Sequence, residues 1–567
     1  MKKVLVGLGI LIGILVLVNV YFSFRSYNVI LITIDTLRPD YLSCYSPDAE
    51  PTPNIDAIAK RGVRFTNAYT LIPITFPSHV SILTSRQPYK LNVFNNGDHF
   101  DHNKAPLVSD FFANRGYQTA AFISLGVLKG EYGLSQGFHT YEDDFGSTTL
   151  NGRYYKVASE VNELALPWLE KVRKKHFFAW IHYSDPHEPY VTVDAPPDTE
   201  VTINGVPFKK VCLAKKEKEL LSFMLQPGAN TIAFHALTSG PEKVQEADSL
   251  RFINKDIFFS PPDGIDTVLG DEWKPIKLTT GIDAWVFHRD AVMKLINHSS
   301  TPHPVSVRFA GGIWNQRTEE LRDNYAHEVQ FVDKNIGQLW DKLKELKVAD
   351  RTIIIVTSDH GEGLKTHGIL GHVDRLWNET IHVPLILYYP GMGYRGKVVD
   401  SLVNLLDIMP TILSFAHVRN KSPMEGQSLK YYATWSPIDR LFAKPVDRYR
   451  TFASTFSPEA RVSSYAVTDL KDKVIHTPNR EKWQWEAYEL DDDPLEKKNL
   501  VKFDPKAFDA LVSLKGLLEA HVHEAEDAHS QRGNRTLTDE QKQMLKALGY
   551  ADHGQNQTQT LPEDEDN

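Results

Sequence analysis

The distribution of apolar positions divides the chain into segments with different periodicities. Val4–Phe24 runs for 21 residues without a charge, which at 1.5 Å per residue is about 31 Å of helix, enough to cross a hydrocarbon core of about 30 Å. It is longer than a signal-peptide core and exits through bulky Tyr21, Phe22 and Phe24, so it predicts an uncleaved anchor. Lys2 and Lys3 on one side against Arg25 on the other place residues 1–25 as a cytoplasm-facing, single-pass membrane anchor, with the catalytic domain extracytoplasmic. Further on, Asn28–Ile34, Thr119–Ile123, Phe177–Tyr183, Ile353–Thr357 and Leu385–Tyr389 are nearly continuous apolar runs, the pattern of strands buried on both faces. Leu321–Leu346 instead follows a helical period, with Leu321, Tyr325, Val329, Val332, Ile336, Leu339 and Leu343 on one stripe. Strands alternating with helices predict an α/β fold with a doubly wound, mostly parallel sheet, whose function sits beyond the carboxyl ends of its strands.

From about Val191 to Asn315 the texture changes to short strand-like runs, such as Glu200–Gly205, Leu220–Leu225 and Asn230–Ala236, broken by Asn204-Gly205 and Pro227-Gly228. This predicts an inserted β-sandwich-like domain at 191–315 inside a catalytic domain spanning 26–190 and 316–551. Residues 552–567 have almost no apolar content and predict a disordered acidic tail.

Composition narrows the class. With 567 residues, 42% apolar and 11% aromatic, the chain can build a full core. Its net charge of −9 and lack of basic runs exclude a nucleic-acid-binding footprint. Two cysteines, Cys44 and Cys212, exclude a disulfide scaffold and a Cys-rich metal site.

Candidate chemistry gathers where strands end. Asp35 follows the first buried run and Asp359-His360 follows Ile353–Thr357; each alone reads as a loop or cap residue, but together they offer oxygen and nitrogen donors suited to zinc or manganese more than calcium. Thr75-Phe76-Pro77-Ser78-His79 precedes a short helical stretch, Val80–Thr84, with Pro77 pre-organised for its first turn, and Thr75 reads equally as a helix cap or a nucleophile. Free N–H groups at that helix start would favour a bound phosphate or sulfate. His182, Asp185 and His187 lie near the end of Phe177–Tyr183, and His367 and His372 follow Asp359-His360 in a glycine-bearing loop. Imidazoles beside a metal site are candidates for general-acid assistance to a leaving oxygen.

The segments Asn28–Asp40 (NVILITIDTLRPD), Thr75–Pro88 (TFPSHVSILTSRQP), Asp185–Tyr190 (DPHEPY), Ser358–Leu364 (SDHGEGL) and Val383–Gly391 (VPLILYYPG) resemble, in order and spacing, the sulfatase family of the alkaline phosphatase superfamily. The resemblance covers roughly Asn28–Tyr190 and Tyr325–Tyr550. It implies that Asp35, Asp359 and His360 bind a divalent metal, with Thr75 as nucleophile and a further ligand. His187 matches the histidine on the leaving side of the substrate, and His372 falls about where the family places a lysine. Three departures stand out. Sulfatases need Cys or Ser at the Thr75 position to make formylglycine, their second metal-site Asp is Thr36 here, and their Lys-x-His segment is replaced around Ser124-Leu125-Gly126. Around Thr75 the chain is similar to nucleotide pyrophosphatase/phosphodiesterases, whose phosphate-holding asparagine corresponds to Asn96. The reading is therefore a membrane-anchored, metal-dependent hydrolase cleaving phosphodiesters through Thr75, with His187 and His372 assisting and Asn96, His182, Asp185 and His367 contacting a phosphoester or a surface glycan or lipid substrate. The alternatives are a phosphoglycerol- or phosphoethanolamine-type transferase, a sulfuric ester hydrolase, and a glycan-binding protein on a degenerate catalytic fold.

Overall fold

The computed structural model describes residues 26–145, 154–188, 190, 199–211, 219–236, 250–253, 265–269, 274–277, 283–287, 290–309, 318–390, 396–418, 420–434, 443–457, 462–480, 484–532, 537–538, 541–542 and 544–545. The chain divides into two compact units, one containing the segments up to Phe145, Tyr154–Ser184 and Val332–Leu545, the other containing Asp185–Phe331.

The first unit is built on an eight-stranded sheet. In chain order its strands are β1 (Asn28–Ile34), β2 (Val63–Tyr69), β3 (Gln118–Phe122), β4 (Thr140–Glu142), β5 (Phe177–Tyr183), β6 (Thr352–Ser358), β7 (His382–Tyr388) and β8 (Lys397–Asn404). They lie in the order β8-β2-β7-β6-β1-β5-β3-β4. The centre, β6-β1-β5, is parallel and every residue of these three strands is buried, as their apolar runs require. β7 runs antiparallel to both β6 and β2, so the sheet is mixed. β2 and β8 had no strand reading in the sequence. In Val63–Tyr69 the interior positions Arg64, Thr66 and Asn67 are only half buried, which breaks the apolar run.

Register positions the site. Thr33 pairs with His182 and Ile34 with both Tyr183 and Ser358, so β1, β5 and β6 finish level with one another. The Asp35 amide donates to the Tyr183 carbonyl at 2.8 Å and pins the first of these exits. The same unit closes with an antiparallel four-stranded sheet, Thr451–Ser457, Val462–Thr468, Asp472–His476 and Trp485–Glu489. Helix Val512–Ser530 packs on it through Leu514, Leu518 and Ala525.

In the second unit the described strands form separate antiparallel sheets, including Thr199–Ile203, Val206–Val211, Gly228–Ala236, Ile265–Leu269 and Asp290–Asn297 in one of five strands. Helix Thr318–Glu345 forms where the apolar stripe predicts it, with all seven stripe residues buried.

The expected single-pass localisation is corrected: among the described residues no helix is long and apolar enough to cross a membrane. Residues 1–25, on which that expectation was built, and the tail 552–567 lie outside the described residues.

Candidate functional site

Three fully buried side chains converge beyond the level ends of β1 and β6. Asp35, Asp359 and His360 each bring one donor atom within 4.8 Å of the others. His360 Nε2 lies 3.7 Å from Asp35 Oδ1 and 3.4 Å from Asp359 Oδ2. Its Nδ1 sits 3.0 Å from the Gly361 carbonyl, which can only accept. The ring proton is therefore on Nδ1, and the Nε2 lone pair is turned toward the carboxylates, as a metal-binding imidazole requires. Asp359 Oδ1 accepts the amides of His360 at 3.0 Å and Thr36 at 3.3 Å, whereas its buried Oδ2 makes no hydrogen bond. Burial pushes the Asp359 carboxyl up to about 7, against the pull of those amides and of His372. Two dry carboxylates and one imidazole lone pair suit a divalent cation.

Thr75 is the first residue of helix Thr75–Thr84, which starts earlier than its sequence suggests and is preceded by an Ile74 cap that supplies no side-chain bond. The hydroxyl of Thr75 does not cap the helix. Its Oγ1 lies 3.3 Å from His360 Nε2, to which it donates given the tautomer above. The helix start offers an anion less than expected: the Phe76 amide is taken by Asn96 Oδ1 at 2.9 Å, Pro77 has no N–H, and the Ser78 amide goes to Ile74. Because the Phe76 amide can only donate, it also fixes the Asn96 orientation. Asn96 Nδ2, buried and without a hydrogen bond, is thus the polar hydrogen source left at this end of the helix.

His182 joins the cluster with its Nε2 3.7 Å from Asp35 Oδ2. Ser124 sets its polarity, the backbone amide at 3.4 Å and hydroxyl at 2.7 Å both meeting Nδ1, so the ring proton sits on Nε2 facing the carboxylate. His372 stacks near His360, ring centroids 4.3 Å apart, and turns Nδ1 to the Glu362 carboxylate at 3.3 Å. Thr36, standing where an acidic ligand was the family expectation, has a left-handed φ of 58° and donates its hydroxyl to the Asp35 carbonyl at 2.7 Å. Its contribution to the cluster is the amide on Asp359.

His367 is not brought to the cluster as a substrate contact. Its Nδ1 bonds Glu379 at 2.7 Å, its Nε2 bonds the Glu496 carbonyl at 2.9 Å, and its ring stacks on Trp377. Burial opposes its charge, but these acceptors hold its pKa above the ordinary imidazole value. Asp185 and His187 fall in the second unit, where both are buried and His187 Nδ1 meets the Glu188 carbonyl at 2.9 Å.

Several participants lie within the motif segments but have no role assigned from the sequence. His79 lies with Nδ1 3.6 Å from Asp359 Oδ2. Arg38, buried, bonds the Glu362 carbonyl at 3.1 Å and Thr366 Oγ1 at 3.0 Å, tying the loop after Asp359 to the loop after Asp35. Gly361 and Gly363 let that loop fold closely, since a Cβ at Gly361 would lie 2.0 Å from the Glu379 carbonyl oxygen and one at Gly363 2.5 Å from that of Ile369.

Comparison with known proteins gives the family and the fold. Residues 27–418 match the sulfatase family model, and residues 368–524 match that of the N-sulphoglucosamine sulphohydrolase C-terminal region. An N-acetylglucosamine-6-O-sulfatase of Bacteroides thetaiotaomicron is 24% identical, covering 83% of this chain and 82% of its own length. A solved structure in complex with D-glucosamine-2-N,6-O-disulfate superposes with a TM-score of 0.57 at 19% identity, over 89% of this chain and 99% of that one. A phosphonate monoester hydrolase of Agrobacterium radiobacter does so with a TM-score of 0.54 at 17% identity, over 91% and 98%. With most of its length matched by the family model, the chain belongs to the sulfatase family.

Proposed function

We propose that this sulfatase-family hydrolase cleaves phosphorus esters, phosphodiesters foremost, with Thr75 as the attacking group. The observation that carries the reading is the Thr75 hydroxyl at 3.3 Å from His360 Nε2, beside Asp35 and Asp359. Asp35, Asp359 and His360 would hold a divalent cation, zinc or manganese by their donor chemistry, with Thr75 as a further ligand. Such a cation supplies Lewis-acid polarisation and lowers the pKa of a neighbouring hydroxyl. Thr75 Oγ would then attack phosphorus, its proton passing to solvent, as the bond to one leaving alkoxide or phenoxide breaks; water then cleaves the Thr75 Oγ–P bond of the resulting threonyl ester, which still carries the second ester group, releasing the monoester and returning a proton to the hydroxyl. Asn96 donates from Nδ2 to a non-bridging oxygen, and His372 hands a proton to the leaving oxygen.

A second reading, sulfate-ester hydrolysis, is favoured by the relatives, which are described as sulfatases. Against it, the family's sulfate chemistry uses a formylglycine made from Cys or Ser, and Thr75 carries a secondary hydroxyl on a β-branched carbon that cannot become that aldehyde. The two readings separate on small chromogenic esters with metal-replete protein. Bis-p-nitrophenyl phosphate is expected to turn over at least about a hundredfold faster than p-nitrophenyl sulfate, about 2.7 kcal/mol of barrier. Faster turnover of the sulfate than of every phosphorus ester would reverse the assignment. Running the same assay with an added alcohol tests for transfer in place of hydrolysis.

A further inference from the structure

His79 is fully buried four residues after Thr75 on the same helix, and neither of its ring nitrogens is left to water. Nε2 lies 3.1 Å from Thr33 Oγ1, and that same oxygen accepts the Trp180 indole N–H at 2.9 Å. An indole nitrogen can only donate, so Thr33 must accept from Trp180 and has its own hydroxyl hydrogen to give to His79. The other nitrogen decides the direction: the Thr75 carbonyl, 2.8 Å from Nδ1, can only accept, so the single proton of the neutral ring is on Nδ1 and Nε2 accepts the Thr33 hydroxyl hydrogen. On that side two acceptors wait: the Thr75 carbonyl at 2.8 Å and Asp359 Oδ2 at 3.6 Å. The opposite tautomer would aim a lone pair at both. The polarity runs one way, from Trp180 through Thr33 and His79 to the backbone of Thr75.

We propose that His79 is a positioning residue for Thr75, held as the Nδ1–H tautomer between the Thr75 carbonyl on one side and the Trp180–Thr33 relay on the other. The Thr75 carbonyl normally accepts the backbone N–H four residues on; the His79 ring brings it a second donor. Thr75 heads a helix with no capping side chain and with Pro77 in its first turn, so this ring bond is a restraint that sets where Oγ1 points. The same N–H lies 3.6 Å from Asp359 Oδ2, beyond hydrogen-bond distance, so toward that candidate ligand it contributes only a favourable dipole. The catalytic part of this inference rests on the Thr75 reading above; the tautomer does not.

The test has two arms. In the first, the full chain labelled with 15N-histidine is examined by long-range 1H–15N correlation NMR, the His79 signal being assigned by its loss in His79→Asn. The wild type is expected to show the Nδ1–H pattern across neutral pH, Thr33→Ser to preserve it, and Thr33→Val, which removes the hydroxyl while keeping the side-chain shape, to lose it in favour of Nε2–H or a mixture. In the second, kinetics on the ester turned over by the wild type are expected to show kcat falling at least about tenfold in Thr33→Val with KM within about twofold, as for a group acting on transition-state geometry, and recovering in Thr33→Ser. His79→Asn, whose amide nitrogen can take the place of Nδ1, is expected to keep more activity than His79→Leu. An Nε2–H or doubly protonated ring in the wild type overturns the relay, as does wild-type kcat in Thr33→Val. If Thr75→Ala is inactive while Thr33→Val is unaffected, positioning fails and the nucleophile stands. If Thr75→Ala turns over normally, the nucleophile reading fails, and the NMR arm still decides the relay.

Discussion

Asn96 makes one bond in the structure and is assigned a second in the proposed mechanism, and the two atoms involved can be removed one at a time. Its Oδ1 accepts the Phe76 amide at 2.9 Å, and its buried Nδ2 makes no hydrogen bond. Asn96→Ala deletes both and leaves the Phe76 N–H stranded in the first helical turn. An unsatisfied buried amide costs about 1–3 kcal/mol, a fall in Tm of about 2–4 °C per kcal/mol on the scale of a large domain. Asn96→Asp keeps an acceptor for Phe76 and should melt close to the wild type. Both variants lose the donor assigned to the developing negative charge on a phosphoryl oxygen, and one such donor is worth about a hundred- to thousandfold in kcat, about 2.7–4 kcal/mol. Aspartate adds a like charge facing an anionic substrate, so its kcat should be the lower of the two. Thermal melts by circular dichroism, paired with initial rates on bis-p-nitrophenyl phosphate, read both quantities. Asn96→Asp retaining kcat within about threefold of the wild type, or Asn96→Ala melting no lower than Asn96→Asp, would refute the division of labour.

Thr75→Ala should keep its fold and its metal, counted by elemental analysis, while kcat falls by at least about a thousandfold; near-normal turnover removes Thr75 from the mechanism. Lys473 and Glu496 form a fully buried ion pair at 2.7 Å, with Lys473 also bonding Asn378 Oδ1 at 3.1 Å. Lys473→Met strands the carboxylate at a cost of about 3–5 kcal/mol, and pairing it with Glu496→Leu should recover much of the lost Tm; equal destabilisation by single and double variants would count against this. His521 bonds Ser454 at 2.8 Å, and burial lowers its pKa to about 4 from 6.5. In that window the unfolded chain binds the extra proton, so this residue's contribution to stability, up to about 3 kcal/mol, is present above pH 6.5 and is lost as pH falls toward 4. His521→Gln should flatten that slope in urea titrations taken from pH 7 to 4, and an unchanged slope would place the titration elsewhere.

What the sequence makes legible follows from whether a residue's role depends on its own type or on a partner's. β1, β5 and β6 are buried on both faces, and their apolar runs announce them. β2 and β8 are also part of the sheet, but half-buried Arg64 and Thr66 and exposed Val398 and Asp400 interrupt their pattern, so register in the folded sheet reveals what periodicity does not. The same distinction holds in the site. Asp35, Asp359 and His360 are donors of recognisable type at strand ends, and Thr75 is a hydroxyl at a helix start. His79, Ser124, Arg38 and Glu362 matter through the partners they meet in the fold, Thr33, His182, Thr366 and His372, rather than through their own type. His367 shows the converse: its place in a loop rich in candidate ligands made it look functional, whereas Glu379 and the Glu496 carbonyl occupy both its nitrogens.

The hydrogen-bond polarities bear on the cation that the proposed mechanism places at this centre. Each of three imidazoles meets a group whose direction is fixed. At His360 a carbonyl accepts from Nδ1, at His182 the Ser124 amide donates to Nδ1, and at His79 the Thr75 carbonyl accepts from Nδ1. All three rings can satisfy these partners while neutral, and burial lowers the His79 pKa to about 4, which holds that ring uncharged. Neutral imidazoles orient the Asp35 and Asp359 carboxylates without cancelling their charge. In a dry site two neighbouring carboxylates then either share a proton, which is the direction in which burial pushes Asp359, or hold a metal. A protonated Asp359 would offer one oxygen lone pair fewer and a hydroxyl hydrogen that must find an acceptor. A divalent ion would instead be met by Asp359 Oδ2 and the His360 lone pair as they stand, with Thr75 Oγ1 beside them, which is the argument for the cation in the proposed mechanism.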